Sequence, residues 1–203
     1  IITDEFRLKE NKFLAILKSK KLEFEIISNN DFLKNSSTKN PQGIAAVFEI
    51  PKKNRLNLHE GKIVCLENIS DPGNLGTILR SCNWFGIKTV LLSKNCAELY
   101  NPKVLRASMG AIFHLNIHEN INLINEISAL KKMGYESYYA DMNGADYRKI
   151  NFNEKCIITF CNEASGPTKD LKSISDYAIT IPSKGNIDSL NVSAAAAVIL
   201  SRL

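Results

Sequence analysis

Hydrophobic and polar positions along residues 62–203 repeat in an order of strand-like and helix-like segments. Short apolar runs predict strands, and apolar residues spaced three and four apart predict helices. The predicted strands are 63–66, 89–92, 114–117, 135–140, 156–160 and 177–181. The predicted helices are 74–86, 101–108, 121–133 and a last helix that begins near 192 and closes the chain. Strands that alternate with helices at these lengths are typical of an α/β domain with a mostly parallel sheet.

The first 60 residues have a less regular pattern. Helical spacing covers 8–18, alternation predicts a strand at 23–27, and an apolar strand is predicted at 44–50. Between these strands, cap-forming residues precede a short helix around Phe32 and Leu33. Residues 51–55, Pro-Lys-Lys-Asn-Arg, form the best linker candidate because they combine a proline with charged side chains. We therefore expect a small N-terminal domain at 1–55 and a main domain at 56–203.

Composition narrows the class of protein. With 44% hydrophobic residues and no apolar run near the roughly 20 residues of a membrane helix, we expect a globular protein that does not span a membrane. Five cysteines without a CxxC pair indicate the reduced thiols of a cytoplasmic protein, with neither disulfides nor a metal site. The net charge of +5 permits a nucleic-acid partner without requiring one.

The stretch 181–200 predicts a strand end, a tight loop and a helix. Its sequence is Ile-Pro-Ser-Lys-Gly-Asn-Ile-Asp-Ser-Leu-Asn-Val-Ser-Ala-Ala-Ala-Ala-Val-Ile-Leu. Pro182 cannot donate to a strand ladder, and Ser189 and Asn191 are residue types that cap helices. Free backbone groups beside a helix N-terminus can hold a polar or anionic ligand. A purely structural corner explains the same residues about equally well.

A second stretch, 66–86, starts with strong turn chemistry at Asp71-Pro-Gly-Asn and continues as an amphipathic helix. Arg80 lies off the apolar face of this helix, on the side of Gly76, whose missing side chain would leave room beside the guanidinium. Such an arginine suits a phosphate or a carboxylate, although an exposed surface arginine is the commoner explanation. Trp84 lies on the same open side, where it could stack on a base or be buried in a protein interface.

A third stretch, 157–167, is an apolar strand that ends in Asn162-Glu163 and a glycine loop. This order places a carboxylate at the C-terminal edge of the sheet, where open α/β sheets bind their ligands. Taken alone, Glu163 is equally consistent with a helix cap or a surface residue.

In order, residue type and spacing, the three stretches resemble the three motifs of the SpoU/TrmH class of SPOUT methyltransferases. The motifs are residues 68–86, then 161–166 (Cys-Asn-Glu-Ala-Ser-Gly), then Ile181-Pro182 with 189–192 (Ser-Leu-Asn-Val). The resemblance covers about residues 56–203. It implies an enzyme that uses S-adenosylmethionine to methylate ribose 2′-hydroxyls in structured RNA, either rRNA or tRNA. It further implies a C-terminal trefoil knot, a homodimer formed through this domain, and no metal.

The resemblance also assigns site residues. The implied catalytic set is Arg80, Asn74, Glu163, Ser189 and Asn191, and the implied cofactor-binding set is Cys161, Asn162, Ile181, Ser189 and Leu190. Cys161 stands where the family usually has glycine, and a required positive φ there would strain the cysteine and weaken cofactor binding. Residues 40–46 resemble the end of a small α/β substrate-binding domain that many members carry, which we expect to be incomplete in this chain.

Two other functional classes compete with this interpretation. A catalytically weak RNA-binding protein on the same scaffold is the main alternative, and Cys161 is the hint for it. The presence of both Arg80 and Glu163 argues against that class. A nucleotide-binding oxidoreductase is a weaker rival, because no GxGxxG follows a predicted strand.

Overall fold

The computed structural model describes residues 1–36, 38, 40–50, 61–186 and 189–203. The chain forms two compact units, Ile1–Pro51 and Lys52–Leu203. The predicted linker at 51–55, and with it the boundary between residues 55 and 56, lies outside the described residues. In the part of the chain that the structure describes, no helix is long and apolar enough to cross a membrane.

The N-terminal unit combines two short parallel strands with helices. The strands are β1 (Ile2–Thr3) and β2 (Ile26–Ile27), and the helices are α1 (Asp4–Lys9), α2 (Asn11–Ser19) and α3 (Asn29–Asn35). The helix predicted at 8–18 is therefore two helices that meet at Glu10, and the strand predicted at 23–27 shortens to two residues. The short helix predicted around Phe32 and Leu33 is confirmed as α3, which Ser28 caps.

The strand predicted at 44–50 is wrong. Ile44 makes a single antiparallel bridge to Ile2, and the side chain of Val47 is 95% exposed. The backbone groups of Ala45 are hydrogen-bonded to Ile1, but no strand is formed along residues 44–50. An apolar run becomes a strand only where a neighbouring strand pairs with it over several residues.

A parallel sheet forms the centre of the second unit. Its strands are β3 (Ile63–Glu67), β4 (Thr89–Ser93), β5 (Asn116–Ile121), β6 (Glu136–Asp146), β7 (Cys156–Cys161) and β8 (Tyr177–Thr180). Their spatial order is β5-β4-β3-β7-β6-β8, and each of these neighbouring pairs is parallel. The predicted α/β class with a mostly parallel sheet is therefore confirmed.

Helices cover both faces of this sheet. They are α4 (Pro72–Trp84), α5 (Pro102–Ser108), α6 (Leu123–Lys132), α7 (Lys169–Ile174) and α8 (Val192–Leu200). Successive residues of β3 point to opposite faces, so Val64 packs with α4 and α8 while Cys65 packs with α6 and α7. The central strands β3 and β7 are buried along their whole length, which explains why their sequences are unbroken apolar runs.

Two elements differ from the predicted pattern for physical reasons. The pattern does not predict α7, because that helix is short and polar and buries one side chain, Leu171. β6 continues beyond the predicted 135–140 as far as Asp146, with an irregularity in which Ala140 and Ala145 both pair with Ile179 of β8. Residues 141–144 therefore bulge out of the ladder.

Gly144 lies where this bulge comes closest to the backbone of β8. A Cβ atom at Gly144 would lie 2.5 Å from both the backbone nitrogen and the carbonyl carbon of Ile179. Backbone atoms of a paired strand cannot move aside cheaply. The close approach of the β6 bulge to the backbone of β8 therefore depends on a glycine.

We expect Gly144→Ala to lower the free energy of unfolding by about 2 kcal/mol or more, because the added methyl group overpacks against backbone. Gly185→Ala is the matched control, since an added Cβ there meets no atom within 4 Å, and we expect it to change stability by less than about 0.5 kcal/mol. Urea unfolding of both variants measures the difference. Equal stabilities would show that β6 and β8 can separate here at little cost.

Candidate functional site

Three loops meet at the C-terminal edge of the parallel sheet. β3 and β7 lie side by side with Glu67 opposite Cys161, so the segments that follow these strands leave the sheet together. Those segments carry the first and second sequence motifs, and the loop between β8 and α8 carries the third. The topology thus brings together residues as distant in sequence as Asn74 and Asn191, which are 117 positions apart.

A hydrogen-bonded network joins polar residues of all three motifs. Asn74 Nδ2 donates to Glu163 Oε1 at 3.2 Å, and Asn191 Nδ2 donates to Asn74 Oδ1 at 3.0 Å. The backbone N–H of Val192 also donates to Glu163 Oε1, at 2.7 Å. Three of the five residues of the predicted catalytic set are therefore in contact. Each asparagine uses its nitrogen as donor and its oxygen as acceptor, which orients both amides.

The same residues cap the N-terminus of α8. Asn191 Oδ1 accepts a hydrogen bond from the backbone N–H of Ser193 at 2.9 Å, and Glu163 accepts that of Val192. The expectation that free backbone groups at this N-terminus hold a ligand is wrong for these two groups, because side chains of the protein satisfy them.

Asn162 fixes the shape of the loop that follows β7. Its Nδ2 donates to the backbone oxygen of Asn68 at 3.1 Å and to Ser70 Oγ at 3.3 Å. Its Oδ1 accepts from the backbone N–H of Ala164 at 2.8 Å. Because both ends of the amide are occupied, Asn162 can contribute to a ligand site chiefly through the backbone conformation of its loop.

The far end of the same loop is held by a buried carboxylate. Glu67, 6% exposed, accepts two hydrogen bonds from Thr168: one from the backbone N–H at 3.0 Å and one from Oγ1 at 2.7 Å. Thr168 in turn caps α7 through the backbone N–H of Leu171. Glu67 therefore ties the end of β3 to the end of the second motif.

A cavity of about 840 Å³ lies beside the network. All five predicted cofactor-binding residues line it, together with Glu163 of the network and the bulge of β6. Much of the remaining wall is apolar, including Phe160, Ile179, Val192 and Ile199. A concave site of this volume that combines apolar walls with polar groups is typical of a cofactor pocket.

Cys161 forms part of the cavity floor without backbone strain. It is the last residue of β7 and is not among the described residues with positive φ. The condition under which this cysteine would weaken cofactor binding is therefore not met. Burial, together with the neighbouring Glu67 carboxylate, raises the pKa of the Cys161 thiol, which stays protonated at neutral pH.

Arg80 is exposed on α4 and lies outside the network. Within the described residues it forms no hydrogen bond or ion pair. The space expected beside it at Gly76 is absent: a Cβ at Gly76 would lie 2.6 Å from Ala107 Cβ and 2.7 Å from the backbone oxygen of Val104. Gly76 thus serves the close packing of α4 against α5. Trp84, at the end of α4, is 79% exposed.

Sequence reasoning missed four residues that shape the site. Glu67 and Thr168 hold the second-motif loop, and Asp141 and Lys172 line the cavity as an ion pair with Nζ 2.8 Å from Oδ2. Glu67 and Asp141 each follow an apolar strand run at the sheet's C-terminal edge, which is the signal that could have found them. Thr168 and Lys172 carry no comparable signal, because α7 itself is not predicted.

The family follows from comparison with known proteins. The sequence profile of the SpoU rRNA Methylase family matches residues 61–201, which include the network and the cavity. The chain belongs to this family. A relative in Bacillus subtilis, the 23S rRNA (guanosine(2553)-2′-O)-methyltransferase RlmP, is 32% identical over 179 residues, which are 88% of this chain and 71% of the relative.

Solved structures of the family share the fold. A putative RNA methyltransferase of the TrmH family from Porphyromonas gingivalis has a TM-score of 0.78 at 32% identity, over 88% of this chain and 73% of that one. The SpoU methyltransferase AviRb from Streptomyces viridochromogenes, solved in complex with the cofactor AdoMet, has a TM-score of 0.79 at 26% identity, over 93% and 76%. The resemblance inferred from the three motifs is confirmed, and the family is one of S-adenosylmethionine-dependent methyltransferases.

We expect Thr168→Val to lower the free energy of unfolding by about 1–2 kcal/mol, because it leaves the buried Glu67 carboxylate short of one donor and removes the cap of α7. It should also weaken cofactor binding, since the loop at 162–168 lines the cavity. Thr168→Ser keeps the hydroxyl and should match the parent protein in both respects. Urea unfolding and calorimetric titration on the same samples measure both effects. Normal binding by a destabilised Thr168→Val protein would limit Glu67 to a purely structural role.

Proposed function

We propose that this protein transfers the methyl group of S-adenosylmethionine to a ribose 2′-hydroxyl of structured RNA, either rRNA or tRNA. The observation that carries the proposal is the position of the Asn74–Glu163–Asn191 network against the wall of the cavity. A cofactor held in the cavity would present its reactive end to a cluster of oriented polar groups. The relative RlmP, whose name specifies 2′-O-methylation of a guanosine in 23S rRNA, supports the same chemistry.

The residues of the cavity fit this cofactor. Its apolar wall suits the adenine ring and the aliphatic chain, and the loops at 162–168 and 181–190 offer backbone groups for the polar atoms. We assign Cys161, Ile181 and Leu190 to the floor and walls, and Ser189 to the side that faces the network. When bound, the cofactor supplies a sulfonium-activated methyl group, so the protein has chiefly to align the acceptor oxygen.

Arg80 is the residue that we assign to the RNA. Its guanidinium has no anionic partner among the described residues, so its N–H groups are available for a bidentate contact with a phosphate. A guanidinium pKa above about 12 makes Arg80 a poor proton acceptor. Arg80 would therefore grip the phosphate beside the target ribose and polarise the hydroxyl, and the phosphate would relay the proton.

The asparagine–glutamate network would position the acceptor ribose. Glu163 uses Oε1 for Asn74 and Val192, and among the described residues Oε2 has no hydrogen-bond donor. Ser189 of the third motif is exposed and lines the same cavity as Glu163. Both groups are available to ribose hydroxyls, which would be held by side chains that are already oriented before RNA arrives.

Two further features of the family are proposals for this chain. We infer that the chain around β8 is threaded into a trefoil knot. The supporting observation is that the bulge of β6 lies directly against the backbone of β8 at Gly144. We also propose a homodimer that uses α8. One side of α8 packs in the core through Val192 and Ile199, whereas Ala194 is exposed and Val198 is half-buried, which leaves an outer side of small residues for a second subunit.

The one observation that favoured a catalytically weak RNA-binding protein no longer supports that alternative. That observation was Cys161, which lies without strain in an ordinary strand. We propose that the N-terminal unit contributes to RNA binding, as the substrate-binding domains of the family do.

Arg80→Ala tests the mechanism. The side chain is exposed, so the variant should fold with stability changed by about 0.5 kcal/mol or less, and it should still bind S-adenosylhomocysteine. Methyl transfer should fall by a factor on the order of 100 or more, the scale of losing one positioned charge. Arg80→Lys should restore little, because an ammonium cannot reproduce a two-pronged grip. Arg202→Ala, which removes another exposed arginine, is the control and should keep full activity.

The assay first needs its RNA. Mapping 2′-O-methyl groups in RNA from a strain without the gene identifies the nucleotide, and a transcript that contains it becomes the substrate. Near-normal turnover by folded Arg80→Ala would remove Arg80 from the mechanism. If the parent protein bound no S-adenosylhomocysteine in calorimetry, the proposed function itself would be refuted.

The dimer is tested by light scattering at micromolar concentration, which should give twice the 22.7 kDa mass of one chain. Ala194→Glu places a charge on the outer side of α8 and should shift the protein to the monomer. Asn125→Glu puts the same charge at an exposed position of α6, which covers the other face of the sheet, and should leave the dimer intact. A parent protein of 22.7 kDa would contradict the assignment.

A further inference from the structure

An ion pair spans two walls of the cavity at a place that none of the three motifs includes. Asp141 belongs to the bulge of β6, and Lys172 belongs to α7. Lys172 Nζ lies 2.8 Å from Asp141 Oδ2, and the two side chains are 47% and 13% exposed, respectively. Both line the cavity. The pair therefore adds two opposite charges to a cavity that Glu163 and Lys184 also line.

The Asp141 carboxylate is held in one place. Its Oδ1 accepts a hydrogen bond from the backbone N–H of Asn143 at 3.1 Å, which closes a tight turn. That turn leads directly into Gly144, whose backbone lies against Ile179 of β8. Burial opposes ionisation of Asp141, but the hydrogen bonds from Lys172 and from the turn outweigh it and lower the pKa of the carboxyl. Asp141 is thus a fixed acceptor at neutral pH.

We propose that Asp141 binds the two vicinal ribose hydroxyls of the nucleoside cofactor and that Lys172 is the positioning residue that orients its carboxylate. The assignment rests on the proposed function, because it presumes S-adenosylmethionine in this cavity. A carboxylate has about four acceptor positions, and Asn143 and Lys172 occupy two of them. Two remain for a diol, and carboxylates read ribose hydroxyls in other nucleotide sites.

The neighbouring lysine decides which part of the cofactor Asp141 can bind. The amino group of the methionine moiety is cationic, and beside Asp141 it would lie next to the Lys172 ammonium, where like charges repel. The ribose hydroxyls are neutral donors and meet no such repulsion. They also need an acceptor, because burying them unpaired in an apolar cavity is costly. The Asp141–Lys172 pair therefore selects the ribose over the amino-acid end.

Calorimetry with two ligands on three proteins tests the assignment. The ligands are S-adenosylhomocysteine, which cannot react, and its 2′,3′-dideoxy analogue. The parent protein should bind the analogue about ten-fold more weakly or worse, the scale of losing hydrogen bonds to a charged acceptor. Asp141→Asn should bind S-adenosylhomocysteine more weakly than the parent protein does, by a similar factor. Its affinity for the dideoxy analogue should be almost the same as its affinity for S-adenosylhomocysteine. Asp146→Asn removes another ion-paired carboxylate of β6, 17% exposed, and should bind like the parent protein.

Several outcomes would overturn the assignment. If the parent protein bound both ligands equally, the cavity would not read the hydroxyls at all. If Asp141→Asn lost the same factor for both ligands, Asp141 would be structural and other groups would hold the ribose. Should Asp141→Asn fail to fold in a melting curve, Asp141→Ser keeps an acceptor for the Asn143 turn and replaces it in the same comparison. A parent protein that bound neither ligand would refute the proposed function and remove this role with it.

Discussion

The site depends on one carboxylate oxygen, Glu163 Oε1, which accepts hydrogen bonds from Asn74 and from the backbone of Val192. These donors stand at the N-terminal ends of α4 and α8, which follow different strands of the sheet, and the hydrogen bond from Asn191 to Asn74 joins the same two helix ends. Hydrogen bonds to a charged acceptor are stronger than those between neutral groups, so this oxygen favours one arrangement of the two helix ends. Glu163 Oε1, together with the bond between the two asparagines, thus links the ligand-binding edge of the sheet to the start of the last helix.

Much of this arrangement could be predicted from the sequence, because parallel sheets impose strong rules. Buried strands such as β3 and β7 are unbroken apolar runs, and polar residues just beyond them must meet at one edge. That reasoning places Glu163 at this edge, and the resemblance to the family adds Asn74 and Asn191 to the same site. It fails for the N-terminal run at 44–50, where apolar composition exists without a partner strand.

The meaning of small residues could not be predicted in the same way. Gly76 looked like clearance for a ligand beside Arg80, whereas its missing side chain admits Ala107 of α5. Gly144 gave no signal in the sequence, yet it permits the bulge of β6 to lie directly against the backbone of β8. A glycine in the sequence can indicate a close neighbour of the backbone, but only the tertiary structure shows whether that neighbour is a ligand, a helix or a strand.

The order of strands has a consequence for how the chain acquires its structure. β7 lies between β3 and β6, although it is made after both of them. During synthesis, the two halves of the sheet cannot join until residue 161 has left the ribosome, and the edge that binds ligands is completed only when α8 follows. Such long-range pairing is slow, and it leaves the edges of β3 and β6 open in the meantime. The nascent chain therefore remains exposed to mispairing until β7 has paired, and the site is incomplete until α8 has been added.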